Sequence, residues 1–346
     1  MAIRKLVISD TPGVYECFPC LTRTQSGKLL TVYRESDSHS AAAYSHLVTR
    51  ESANWGESWS ERRVLTESYQ ADGVLFKWNC PRVGQLADGR LWVLCDGYPV
   101  PPGEARTQDS RIYFWWSGDE GRTWSGPQPT PIPGIVPDRL LVTQAGTWLV
   151  ATHVHCADSE DIVQYVCRSE DAGQTWSEPI VVCQEAGLQP CEASLVQLPG
   201  DGLLVAYMRE NSGQGRPGPK CFSRDDARTW EGPYETDMLG CHRPVAGLLP
   251  DGRVLVTYRQ TSRSGPNWAK NFAAYLEDQD SARETNPSRQ TGVVLVLDHD
   301  RYTPADQGYS GWAALPDERR LYVVNYIRDT AAQAHIRGYV LDVEEF

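Results

Sequence analysis

The nonapeptide "SEDAGQTWS" at Ser169–Ser177 constrains this chain more than any other feature, because the chain repeats it. "SGDEGRTWS" spans Ser117–Ser125, "SRDDARTWE" spans Ser223–Glu231, and a worn copy, "SANWGESWS", spans Ser52–Ser60. Self-similarity of this kind marks a repeat architecture. Each copy is then one supersecondary unit that buries its apolar face only by packing on its neighbours.

A second phrase accompanies the first: an apolar strand, a small turn and a second apolar strand. Its copies are "FPCLTRTQSGKLLTVYRE" from Phe18, "CPRVGQLADGRLWVLCDG" from Cys80 and "PDRLLVTQAGTWLVATHV" from Pro137. They continue with "EASLVQLPGDGLLVAYMRE" from Glu192, "RPVAGLLPDGRVLVTYRQ" from Arg243 and "YSGWAALPDERRLYVVNYI" from Tyr309. The fourth copy carries one extra turn residue, and the sixth has Glu318 where the others have glycine. Each reads as a β-hairpin, β-branched and aliphatic residues flanking an Asp-Gly-type turn. The "SxDxGxTW" phrase follows the first four copies, each time after a third strand-like run such as "IYFWWS" or "IVQYVCRS".

Units of roughly 50–65 residues, each of about four strands and with no long amphipathic helix between them, match a β-propeller. A parallel β-helix requires shorter repeats. The expected fold is all-β, a six-bladed β-propeller of four-stranded antiparallel blades. "IRKLVIS" near the start and "AHIRGYVLDV" near the end both read as strands. The N-terminal strand is therefore expected to complete the sixth blade, making residues 1–346 one domain.

Composition narrows the partners. No apolar run approaches the roughly 18–20 residues of a membrane helix. "MAIRKLVISD" lacks the apolar segment and cleavage site of a secretory signal. The expectation is a cytoplasmic protein with no membrane partner. The formal net charge of -12 works against nucleic acid and anionic membranes, and makes a local cluster of arginines more informative. Cys17 and Cys20 form one CxxC among ten scattered cysteines, with no second pair or histidine tract to complete a zinc site. They read as structural thiols. No metal and no cofactor are expected.

Strand direction alternates within a blade. If the first strand starts on one face, the "SxDxGxTW" phrase, joining strands three and four, lies on the opposite face at the outer edge. Asp119, Asp171 and Asp225 then accept hydrogen bonds from their own turns, and Trp124, Trp176 and Trp230 pack between strands. The phrase is a structural stitch. Chemistry is expected where the first strands begin and the second strands end. The starts are Phe18, Cys80, Pro137, Glu192, Arg243 and Tyr309; the ends are Arg34, Asp96, His153, Arg209, Arg259 and Asn325. A hydrophobic core does not select such residues, because unpaired buried charge is expensive. Four arginines converging in an acidic protein predict a cationic funnel for an anionic ligand, a carboxylate or a sulfate. The alternative is a polar plug of mutual ion pairs.

The whole pattern resembles the sialidase (neuraminidase) superfamily, whose Asp-box is the "SxDxGxTW" phrase; three good copies and one degenerate copy are present, and the likeness covers nearly the whole chain. The resemblance implies a six-bladed propeller that hydrolyses terminal sialic acids. A tyrosine is the nucleophile assisted by a glutamate, an aspartate is the acid/base, and three arginines grip the substrate carboxylate. "CEASLVQLPGDGLLVAYMRE" matches the family's fourth blade and gives Glu192 and Arg209. "QGYSGWAALPD" gives Tyr309. "RESDSHS" gives Asp37 as acid/base, with His39 and Glu35 as rivals. Two positions depart from the family. Its "RIP" motif reads "CFP" here, so Cys17 stands where an arginine opens the triad. The third arginine is represented by Lys270 in "PNWAKNF". Arg34, Arg243 and Arg259 are candidates to rebuild the grip, with Asp96, His153, Asn325 and His39 as further contacts.

These residue types suit the reaction. Sugar cleavage passes through an oxocarbenium-like state, and tyrosine-nucleophile sialidases depart from the two-carboxylate scheme. A neutral tyrosine avoids repelling a carboxylate beside the anomeric carbon, but its ordinary pKa of about 10 makes it weak unless a neighbouring carboxylate takes its proton. Glu192 and Tyr309 start different blades and are expected to meet across the axis. His153 and His155 share a face by alternation; with His242 they are candidates for a metal or for acid and base. The function expected is a retaining exo-glycosidase, exo-α-sialidase-like, acting on an acidic glycan. Two alternatives stand beside it: a uronate lyase in the same pocket, and a glycan-binding propeller without catalysis.

Overall fold

The computed structural model describes residues 3–41, 43–101, 109–156, 159, 161–262 and 269–345. Its strands form six antiparallel sheets, the blades of a six-bladed β-propeller. The first blade comprises Tyr15–Arg23, Leu29–Ser36, Ser45–Ser52 and Arg63–Thr66. The third comprises Leu141–Val142, Trp148–His155, Ile162–Ser169 and Ile180–Cys183. The fourth comprises Pro190–Gln197, Leu204–Glu210, Lys220–Ser223 and Glu231–Tyr234; the fifth, Cys241–Leu248, Val254–Ser262, Ala269–Glu277 and Val293–His299. In the sixth, Gln307–Ala314, Arg320–Ile327 and His335–Asp342 are joined by Arg4–Ser9 from the other end of the chain, with Arg4 opposite Val340.

The second blade departs from the four-strand pattern. A hairpin of Tyr69–Ala71 and Val74–Trp78 adds to it, and its first strand is in two pieces. Val74–Trp78 pairs with the end of Leu91–Val100, while Arg82–Gln85 pairs with its beginning. The break contains Pro81, which has no amide to give to a ladder.

By its contacts the chain divides into two compact units. Residues 1–130 with 300–346 hold blades one and six and blade two up to the middle of its last strand, Gln128–Pro133; residues 131–299 hold the rest of that strand and blades three, four and five. In the first unit, Val32 and Leu47 of blade one pack with Val83, Leu91 and Trp115 of blade two. In the second unit, Ala151 and Val166 pack with Leu195 and Ala206, while Val205 and Tyr207 pack with Val256 and Ala273.

One tight turn joins the first two strands of most blades. Thr24 N donates to Lys28 O at 2.8 Å, and Leu86, Thr143 and Leu249 repeat the bond with Arg90, Thr147 and Arg253. Gly27, Gly89, Gly146 and Gly252 occupy the left-handed position, at φ 84–90°. In the sixth blade Glu318 takes it at φ 57°, in a turn one residue longer that Leu315 N closes on Arg320 O at 2.8 Å.

The Asp-box is a stitch. Asp171 Oδ1 accepts from Ser169 Oγ and Thr175 N, both at 2.8 Å, and Oδ2 accepts from Thr175 Oγ1 at 2.6 Å. Asp119 and Asp225 repeat this with Thr123 and Thr229. Trp124 and Trp230 pack against the cores. The carboxylates are spent on their own turns.

Candidate functional site

The strand-one starts singled out in the sequence share a backbone device. In four blades the ladder between the first two strands slips at the same place. The slips fall between Cys17 and Cys20, Cys191 and Ser194, His242 and Val245, and Gln307 and Ser310. Within them Phe18, Glu192 and Arg243 adopt left-handed φ of 57°, 53° and 51°. In the sixth blade Gly308 takes the left-handed conformation at φ 102°, and Tyr309 follows it. In the third blade Val136, before Pro137, stands at φ 51°. A non-glycine residue there costs about 1–2 kcal/mol. A β-bulge re-aims side chains and is over-represented beside active sites.

Tyr309 belongs to the first unit. It is buried, its ring 5.0 Å from that of Phe18 and 6.3 Å from that of Tyr326. The Arg34 guanidinium lies 4.4 Å from the Phe18 centroid. Arg34 is itself buried. It donates to Asn79 Oδ1 at 2.9 Å and to the His39 carbonyl. Asn79 donates in turn to Asp96 Oδ2, and Asp96 Oδ1 accepts from Cys80 N, both at 2.9 Å. Asp96 thus holds the chain at the break in the second blade. Asn325 does the same in the sixth, its Oδ1 accepting from Gly308 N at 2.8 Å. Cys17 is fully buried opposite Arg34, and burial pushes its thiol up to about 11.

The segment after the first blade's second strand carries Glu35, Asp37 and His39. Glu35 is buried 3.4 Å from Arg62, and burial raises its pKa. Asp37 accepts from Ala43 N at 3.2 Å. His39 Nδ1 lies 2.7 Å from Asp306 Oδ2. Asp306 is buried and also accepts from the Tyr15 hydroxyl and, at 2.9 Å, from that of Tyr326. Burial, and then the Asp306 charge, pushes the Tyr15 pKa well up. The sequence reading missed Asp306, Tyr15 and Asn79. Asp306 stands three residues before Tyr309 in "PADQGYS", but its partners on the first blade are remote in sequence, and no spacing reveals them.

Glu192 belongs to the second unit and is buried. Its Oε1 accepts from Arg209 at 3.0 Å, and its Oε2 from the Arg243 main-chain N–H at 3.0 Å. Arg243 is completely buried. Its guanidinium donates to Val136 O and Pro137 O at 3.2 and 2.5 Å, bracing the interrupted first strand of blade three. Glu192 N donates to His153 Nδ1 at 3.3 Å, so His153 is an acceptor there and neutral. Burial pushes its pKa down to about 3. His155 packs edge-on to it at 5.9 Å. His242 is pushed down to about 2 by burial, then by Arg209 and Arg259. Arg259 is buried opposite His242, and Lys270, opposite Thr261, is partly exposed. Among the described residues no three His, Cys, Asp or Glu side chains gather to hold a metal ion. Glu192 is thus surrounded by Arg209, the Arg243 main chain and the neutral imidazole of His153.

A family model described as a BNR repeat-like domain matches residues 76–290. Among solved structures, a protein of unknown function from Dyadobacter fermentans is similar at 22% identity and TM-score 0.76, over 98% of this chain and 99% of that one. A variant of the NanB sialidase of Streptococcus pneumoniae is similar at 14% identity and TM-score 0.66, over 96% and 69%. The α-L-arabinofuranosidase Arb93A of Fusarium graminearum, solved with an iminosugar inhibitor, is similar at 14% identity and TM-score 0.68, over 99% and 98%. No curated protein matches the chain. At these identities the likeness to solved structures is one of fold.

Proposed function

Since the chain belongs to the BNR repeat-like domain family and has a sialidase-like propeller fold, we propose that it is a glycoside hydrolase releasing a terminal acidic sugar with retention of configuration. Two of its structural neighbours, a sialidase and an arabinofuranosidase, bear the names of glycosidases. Tyr309 is the nucleophile in this reading, and Glu192, the buried carboxylate paired with Arg209, is a second catalytic candidate. Arg209, Arg259 and Lys270 attract the substrate carboxylate. Arg34 and Arg243 are committed to protein acceptors and hold the surrounding backbone. Asp96 and Asn325 support neighbouring main chain rather than substrate.

One observation carries the reading. Glu192 combines a left-handed backbone with a buried, arginine-paired carboxylate. Each is unfavourable for stability alone, and such strain concentrates at functional sites.

The test is a screen of acidic glycosides beside Tyr309→Phe and Glu192→Gln. Retained folding with turnover lost in Tyr309→Phe and reduced in Glu192→Gln supports the assignment. Turnover unchanged in Tyr309→Phe removes the nucleophile. An unsaturated sugar product replaces hydrolysis with elimination, and binding without turnover replaces both with recognition.

A further inference from the structure

We infer that His39, held by Asp306, is the acid/base of the hydrolysis proposed above, in the role that the family resemblance assigns to Asp37. The inference rests on that hydrolase reading and names the group that carries its proton.

The histidine is fixed at both ends. Its carbonyl accepts from the buried guanidinium of Arg34, which fixes the main chain. Its Nδ1 meets Asp306 Oδ2 at 2.7 Å, which fixes the ring. Asp306 also accepts from Tyr15 and Tyr326, so it acts as a carboxylate and Nδ1 carries the proton. Asp306 N donates to Asp300 Oδ2 at 2.8 Å, which fixes its main chain. Yet the His39 side chain remains 52% exposed. A half-exposed imidazole oriented through one nitrogen by a buried carboxylate has its other nitrogen available for proton transfer. The ring also packs edge-on to Phe18 at 5.3 Å, and Phe18 is the residue on which Tyr309 rests. Among the described residues Asp37 is held by a single hydrogen bond, from the Ala43 main-chain amide.

In the first step the Tyr309 oxygen bonds to the anomeric carbon as the bond to the leaving oxygen breaks. The tyrosine proton goes to solvent, and doubly protonated His39 gives its Nε2 proton to the leaving oxygen. In the second step water attacks the anomeric carbon and gives a proton to Nε2. The electron pair of the tyrosyl–carbon bond returns to Tyr309, which takes its proton back from solvent. Nothing is oxidised or reduced. His39 is the catalytic residue of the pair and Asp306 a positioning residue.

The experiment uses one acidic glycoside with two leaving groups, an alkyl alcohol that needs protonation and 4-nitrophenol that does not. His39→Gln is expected to lose about 10²–10⁴-fold in kcat on the alkyl glycoside and far less on the nitrophenyl glycoside. In His39→Ala, added imidazole restores part of the alkyl activity. Nitrogen NMR of the ring gives the second readout: Asp306→Asn shifts the proton from Nδ1 toward Nε2 and lowers kcat with KM little changed. Equal losses on both substrates in His39→Gln overturn the inference, as does the leaving-group signature appearing in Asp37→Asn instead. A wild-type protein that turns over neither glycoside rejects the hydrolase reading itself. An active wild type with an unselective His39 variant rejects only the dyad.

Discussion

Glycine at position 192 should leave the protein more stable than alanine there, the reverse of the usual order in a strand. Both variants lose the same carboxylate, the same bond from Arg209 and the same bond from the Arg243 amide. They differ by one methyl group. At φ 53° that methyl group costs about 1–2 kcal/mol against the adjacent carbonyl. Glycine gives back about 0.4–1 kcal/mol through the greater freedom of its unfolded chain. The balance is about 1 kcal/mol in favour of glycine. Neighbouring Ala193 is outside the left-handed set, so Ala193→Gly should cost about 0.5–1 kcal/mol in the ordinary direction. Phe18 and Arg243 should behave like Glu192, and Tyr309, with Gly308 already absorbing the turn, should behave like Ala193. The assay is urea unfolding by tryptophan fluorescence, comparing midpoints at equal m-value. Alanine as stable as glycine at position 192 would refute the claim that strain is stored at the bulge.

Ser194 is fully buried, donates to Asp138 Oδ1 and accepts from Ala246 N, both at 3.0 Å. Ser194→Ala strands that amide, so a loss of about 2–4 kcal/mol is expected in denaturant titration; under about 0.5 kcal/mol would show the relay is idle. His153 binds its proton only near pH 3 when folded, but near pH 6.5 when unfolded. The unfolded state therefore holds more protons between these values. Stability should fall with acidification across the window by about 1.4 kcal/mol per pH unit, and His153→Gln should flatten that slope. In the Asp171 turn, hydrogen bonds led by Thr175 hold the carboxyl at about 2. Its stabilisation is complete above the ordinary carboxylate range and disappears as pH falls through about 2. Thr175 amide exchange should quicken there, and Asp171→Ala should show fast exchange at every pH.

Repetition made the blades legible, because each copy carries its own turn and its own Asp-box, and those contacts are local. Gly27 and Asp171 need only neighbours three and four residues away. The strand starts were legible as exceptions to apolar patterning, which is why Glu192 and Arg243 stood out. Their left-handed backbone was not. A register slip is a relation between two strands, and a single strand's sequence does not contain it. Asp306 was hidden for a related reason, since its role comes from Tyr15 and His39 near the other end of the chain. Arg34 was visible as a cation, but not its commitment to Asn79 and a carbonyl; side-chain chemistry reveals a charge and not its partner. The added hairpin of the second blade was not legible, because it has no counterpart in the repeat.

The pairing of Arg4 with Val340 has a consequence for the chain's birth on the ribosome. At about 5–20 residues per second, Arg4–Ser9 waits tens of seconds for its partner to be synthesised. During that interval it is a loose ribbon that any growing sheet could adopt. Once His335–Asp342 emerges, its open side is paired from within the same molecule, and Arg4–Ser9, short and carrying Arg4 and Lys5, becomes the blade's outer strand, the kind of edge that discourages pairing with another copy.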